Sequence, residues 1–192
     1  MSVFHRTVSA SLICLSMALP AKAATDTFCD LEVSHWEVAI PSQIDGFWQV
    51  KNGAGTLTMM GKTMPLPPGQ PSDGAIEAKA DGSMMISSQE MQGSFPITFV
   101  KTGDLNFDLD KDTPLESKDV LENQDIEVLT GCKPSAFPRL RATGSYQEEA
   151  GTVDFELHLI VISPKIMYGV TFGEFKGPQG AGKAQRLVTF SR

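Results

Sequence analysis

Residues Gly177 to Ala184 read G-P-Q-G-A-G-K-A, close to the glycine-rich loop whose backbone N–H groups and lysine cradle nucleotide phosphates. Ala184 stands where that loop needs a hydroxyl to hold magnesium, and too little chain follows for the helix and acidic strand of a nucleotide fold. The segment is therefore expected to be a flexible hairpin loop. Asp108, Asp110 and Asp112 have the alternate-residue spacing that converges oxygens on calcium. Thr113 replaces the turn glycine and Asp119 the bidentate glutamate, so a solvated acidic loop is expected instead. Thioethers are soft ligands for copper(I), and Met59, Met64, Met84 and Met91 would make a site if their strands brought them together. Methionine is also a flexible filler of cores and apolar pockets, and that is the favoured role. His35 and His158 have no partner at metal-ligand spacing and no assignable nucleophile. No G-x-S-x-G elbow is present. The residues thus point to binding rather than catalysis, with no metal site and no cofactor.

The elements that would hold such a binding site follow from composition and period. The chain has 192 residues, 16 Lys+Arg against 23 Asp+Glu, and 41% hydrophobic residues. That is enough apolar material for a core and argues against a disordered or collagen-like chain. Residues 1–23 read as a signal peptide: Arg6 precedes an apolar run from Ala10 to Leu19, which ends at Ala21-Lys22-Ala23, an A-x-A cleavage pattern. The run is too short to span a bilayer. A periplasmic or secreted protein is expected, with residues 24–192 forming one β-rich domain and no membrane insertion after cleavage. Cleavage removes Arg6 and Lys22 but no acid, so the mature chain is more acidic than the whole chain's −7. Such a charge disfavours nucleic acid and anionic lipid as partners. It also removes Cys14 and leaves Cys29 and Cys132. In an oxidising compartment these are expected to form one disulfide. By chain entropy, a loop of this length would contribute about 4.7 kcal/mol before strain is subtracted.

The remainder alternates as strands do. Val153, Phe155, Leu157, Leu159 and Val161 share one face, with Asp154, Glu156 and His158 on the other. After the turn at Ser163 to Lys165, Ile166, Tyr168, Val170 and Phe172 alternate with Met167, Gly169, Thr171 and Gly173. The two glycines share a face, where a bend is expected. Shorter strands are expected at 47–51, 56–60, 75–80, 83–88, 95–100, 105–109, 140–148 and 187–190. Asn52-Gly53 and Asp81-Gly82 mark turns. The prolines at 65, 67, 68 and 71 require an extended segment, read as a stiff connection or barrel lid. Between Thr113 and Cys132 a capping box at Thr113 and Glu116 predicts one short helix. The fold class is mainly β, an antiparallel β-barrel or a β-sandwich.

Gly46, Phe47 and Trp48 form a G-x-W at the first strand, and Arg186 and Arg192 lie near the end. In this the chain resembles the lipocalins and the wider calycins. The resemblance implies an up-and-down barrel closed at one end by Gly46, Trp48 and a late arginine, taken to be Arg186. Ligand would enter the opposite mouth, with Tyr168, Phe172, Met84 and Met167 as lining. The leading expectation is a carrier of a small apolar or amphipathic molecule. The alternatives are an interaction module for another envelope protein and copper(I) binding through methionines.

Overall fold

The computed structural model describes residues 27–29, 31–102, 123–149, 151–178 and 180–192. The expected signal peptide, the expected 105–109 strand, Asp108, Asp110 and Asp112, and the expected capping box at Thr113 lie outside the described residues.

Nine antiparallel strands follow one another around a closed wall. They are β1 (Gly46–Met59), β2 (Lys62–Leu66), β3 (Ser72–Ala78), β4 (Met84–Ser88), β5 (Ser94–Phe99), β6 (Arg139–Glu148), β7 (Gly151–Ser163), β8 (Ile166–Gly177) and β9 (Gly180–Ser191). β1 pairs β9 along one edge, while its other edge pairs first β3 and then β2. β2 and β3 therefore act as one interrupted stave, and the barrel has eight. Closure gives the wall no free end strand, although β2 and residues 143–148 of β6 pair on one side only.

Sequence period and structure differ at Asn52-Gly53. The expected 47–51 and 56–60 strands are one continuous β1, and the register against β9 shifts between Asn52 and Gly55. The Asn-Gly pair makes a bulge in a long strand, not a turn between two short ones. The adjoining stave breaks at the same level: Gly69 N–H donates to Asn52 O at 2.8 Å, which docks the 67–71 proline loop against the bulge. Asp81-Gly82 does make the expected turn between β3 and β4, with Gly82 at φ 85°. The glycine-rich segment is not a loop: Gly177 pairs with Gly180, and Gly180 to Ala184 are already part of β9.

Several short helices flank the barrel, where one was expected. α1 (Trp36–Ala39) and α2 (Pro41–Ile44) are single turns, too short to leave a helical period in the sequence. They insert Trp36, Ile40 and Ile44 among the barrel's buried side chains, including Ile86, Ile97 and Leu140. One end is thereby plugged. α3 (Asn123–Thr130) lies within the segment expected to be helical. It packs on the outside of the wall, where Ile126 and Phe137 join Ile160, Tyr168, Val170 and Leu187 in a second buried cluster. The disulfide Cys29–Cys132 borders that cluster and spans 103 residues. It ties the segment before α1 to the end of α3.

Candidate functional site

The plugged end is built around Trp48. Its indole Nε1–H donates to Ile44 O at 2.8 Å, and its ring meets Phe190 edge-on, with centroids 6.5 Å apart. Arg192 lies over the indole at 4.5 Å and donates from Nη1 to Asp45 O at 2.8 Å, from Nε to Pro164 O at 2.8 Å, and from Nη2 to Gln43 O. The end of the last strand is thus clamped to Trp48 by a cation–π contact, to the end of the helical plug by two hydrogen bonds and to the β7–β8 turn by a third. Gly46, at φ 113°, takes a backbone conformation that a side chain disfavours, and Arg192 Nη1 lies 3.6 Å from where its Cβ would be. The arginine over Trp48 is Arg192 and not Arg186. Both have the inward parity of β9, but six strand residues span about 20 Å, which puts them at opposite ends.

Arg186 is at the open end. There the barrel holds a cavity of about 200 Å³. Its floor is Val50, Val188 and Phe190, its walls include Phe155, Leu157 and Val153, and its polar margin carries Asn52, Glu90, Tyr146 and Arg186. The space exists because β8 and β9 present Thr171, Gly173 and Ala184 inward. A Cβ added at Gly173 would meet only the Ala184 Cβ, at 4.0 Å. Gly169, two turns of the pleat below, differs: its added Cβ would lie 1.8 Å from His158 O, so it is a close-packing position. Gly144 serves a third purpose. Phe95 and Phe155 meet edge-on with centroids 4.8 Å apart, and a Cβ on Gly144 would come within 2.3 Å of the Phe95 ring.

The margin is polar and ordered. Arg186 crosses the space left by Gly55, where a Cβ would be 2.6 Å from the Arg186 Cγ. It donates from Nη2 to Pro67 O at 2.7 Å and from Nε to Gly53 O at 3.4 Å. The guanidinium therefore holds both the bulge and the proline loop at the rim. Asn52 Nδ2 donates to Glu90 Oε2. Burial, followed by the Glu148 and Glu90 carboxylates, pushes the Tyr146 phenol up, so it stays protonated at neutral pH.

The other expected lining residues lie elsewhere. Tyr168 and Phe172 point outward from β8, Tyr168 beneath α3 and Phe172 edge-on to His158 at 5.8 Å. Neither lines the barrel's interior. Met84 and Met167 do face inward, but as buried members of the plugged half, not of the cavity. Met91 lines the cavity, at the far end of β4 from Met84, about 13 Å along the strand. Met59 and Met64 belong to the β1–β2 extension, so the four methionines do not meet at one point. Sequence reasoning missed Asn52, Glu90 and Tyr146; an inward parity for Tyr146, opposite Val153, was the available signal.

On the outer face, His158 Nε2 lies 2.5 Å from Glu156 Oε1, which also takes Arg141 Nε at 2.7 Å. Burial pushes the Glu156 carboxyl up, but the hydrogen bonds and charges of Arg141 and His158 outweigh it and hold it below its ordinary value. A carboxyl with a depressed folded-state value contributes stability above its unfolded value and loses it as pH falls through the folded one. Glu156→Gln should therefore lower the urea midpoint at about pH 7 but not at about pH 3. An equal loss at both values would show that the pair contributes through packing alone. Among the described residues, no group of three His, Cys, Asp or Glu side chains could hold a metal ion, and no helix is long and apolar enough to cross a membrane.

No protein-family model and no curated protein matches the chain.

Proposed function

We propose that this protein is an exported carrier of a small amphipathic molecule, built on a lipocalin- or calycin-like plan. The observation that carries the reading is the polarised barrel: one end is filled and clamped by Trp48 and Arg192, the other holds an apolar cavity with a polar rim. Mouths of closed barrels are recurrent ligand sites. The G-x-W with an arginine stacked on its tryptophan supports the calycin-like plan. The outer wall supports a barrel in water, since it carries ion pairs such as Lys176 with Asp154 at 2.9 Å and Lys183 with Glu174 at 2.7 Å. Lipid-facing walls exclude such pairs. The size of the cavity limits the cargo: a cavity of about 150 Å³ accommodates benzene, so this one suits a body of about one ring.

Native mass spectrometry of protein purified from its exported compartment tests this reading. The expected spectrum shows a chain beginning at Ala24 with an oxidised cysteine pair and a discrete small-molecule adduct lost on denaturation. A bare full-length mass, with three alkylatable thiols, would overturn both the export and the carrier readings.

A second reading, an interaction module for another envelope protein, is favoured by the apolar groove outside the barrel. Leu129, Ile162, Ile166 and Tyr168 line it between α3 and the β7–β8 turn. Leu129 of α3 and Ile166 are exposed large apolar residues there.

A further inference from the structure

We infer that the ligand class of the barrel mouth is a small monocarboxylic acid with an apolar body about the size of one aromatic ring, its carboxylate held at Arg186. The inference rests on the carrier reading and refines it.

Among the described residues Arg186 has no ion-pair partner, although its side chain is half-buried. Its two hydrogen bonds go to neutral backbone carbonyls, of Gly53 and Pro67, which orient the guanidinium without neutralising it. The other guanidinium N–H donors have no acceptor among the described residues. A cation positioned in this way, beside an apolar floor, has an unmet demand for an anion, and a carboxylate matches its planar fork. Tyr146 lines the same cavity, and among the described residues its hydroxyl has no hydrogen-bond partner. As a protonated phenol, it is a second donor for an oxygen placed at the rim.

Among the described lining residues Glu90 is the one acid, with the exposed Glu148 also acting on Tyr146, and Glu90 does not cancel Arg186. It is exposed to solvent, where its charge is screened, and one of its carboxylate oxygens is occupied by the Asn52 amide. A half-buried charge acts on the cavity more strongly than an exposed one. Below the rim, the lining is apolar, from Val153 and Leu157 to Val188 and Phe190. Its polar exceptions are the hydroxyls of Ser88 and Thr171, neither of which could neutralise a second charge on the acid. Long-chain acids are disfavoured because the floor closes on Phe190 and the filled half of the barrel.

Benzoate and benzyl alcohol share a ring and differ in charge, so isothermal titration of the two separates the head-group inference from the cavity reading. Wild-type protein at low salt should bind benzoate at least about tenfold more tightly than benzyl alcohol. Arg186→Gln should remove that preference, lowering benzoate affinity to about that of benzyl alcohol, and Arg186→Lys should retain part of it. Tyr146→Phe, which leaves the proline loop's anchor intact, should weaken benzoate binding severalfold and serves if Arg186→Gln fails to fold. Equal binding of both compounds by the wild type would overturn the acid preference and leave the cavity reading standing. Binding of neither would overturn both. Parallel loss of both compounds in Arg186→Gln would reduce Arg186 to a loop anchor and overturn its role as the carboxylate's partner.

Discussion

Trp48→Ala should cost about 4 kcal/mol, read as a shift in the urea midpoint. Trp48 is 2% exposed, and the substitution would leave a void between the helical plug and Phe190, where the ring now packs. It would also strip Ile44 O of its indole donor and Arg192 of the face it covers. Each of these losses adds to the transfer term for a buried aromatic side chain. Against a total stability of about 5–15 kcal/mol for a small domain, the variant should be marginal at room temperature. Phe47 supplies the control. It is the adjacent residue, equally large and apolar, yet 85% exposed on the outer face, so Phe47→Ala should change stability by less than about 0.5 kcal/mol. Similar losses for the two would show that the barrel is not sealed at this end.

Gly173→Leu should leave the fold intact and abolish binding in the mouth. The new side chain would project into the cavity, where the first atom of its path meets nothing nearer than the Ala184 Cβ at 4.0 Å. Its four carbons would occupy much of the 200 Å³ and should stabilise the protein slightly by burial, at about 0.8 kcal/mol per methylene in the best case. Affinity for a ring-sized ligand should fall more than about a hundredfold, because two bodies cannot share that space. Gly169→Leu makes the contrast: its Cβ alone would collide with His158 O at 1.8 Å, so this variant should fail to fold. If Gly173→Leu bound as the wild type does, ligand would have to bind elsewhere.

The two glycines look alike in the sequence, and this shows where sequence reasoning stopped. The alternation of β7 is legible because Asp154, Glu156 and His158 mark its outer side unambiguously. β8 is apolar on both faces, since α3 covers Tyr168 and Val170 from outside while Met167 faces the core. Alternation then gives two faces but not which is inward, so Tyr168 and Phe172 on one face and Met167 on the other are equally eligible as lining. The inward face is the one with Gly169, Thr171 and Gly173, whose small side chains make the cavity. Trp48 was legible as the closing residue, whereas the choice between Arg186 and Arg192 depended on axial position, which inward parity does not encode. The bulge at Asn52 was hidden for a related reason. Asn-Gly favours positive φ in a turn, and only pairing with β9 on both sides of it shows the strand continuing.

The claim that the open end of the barrel is the ligand site is tested most directly by titrating ¹⁵N-labelled protein with benzoate and following backbone amide shifts. The account predicts saturable shifts confined to the mouth, at Thr171, Gly173, Ala184, Arg186 and Val188, with those of Gly173→Leu unmoved. Saturable shifts gathered instead around Leu129, Ile166 and Tyr168 on the outer groove, or no shifts at all, would contradict it.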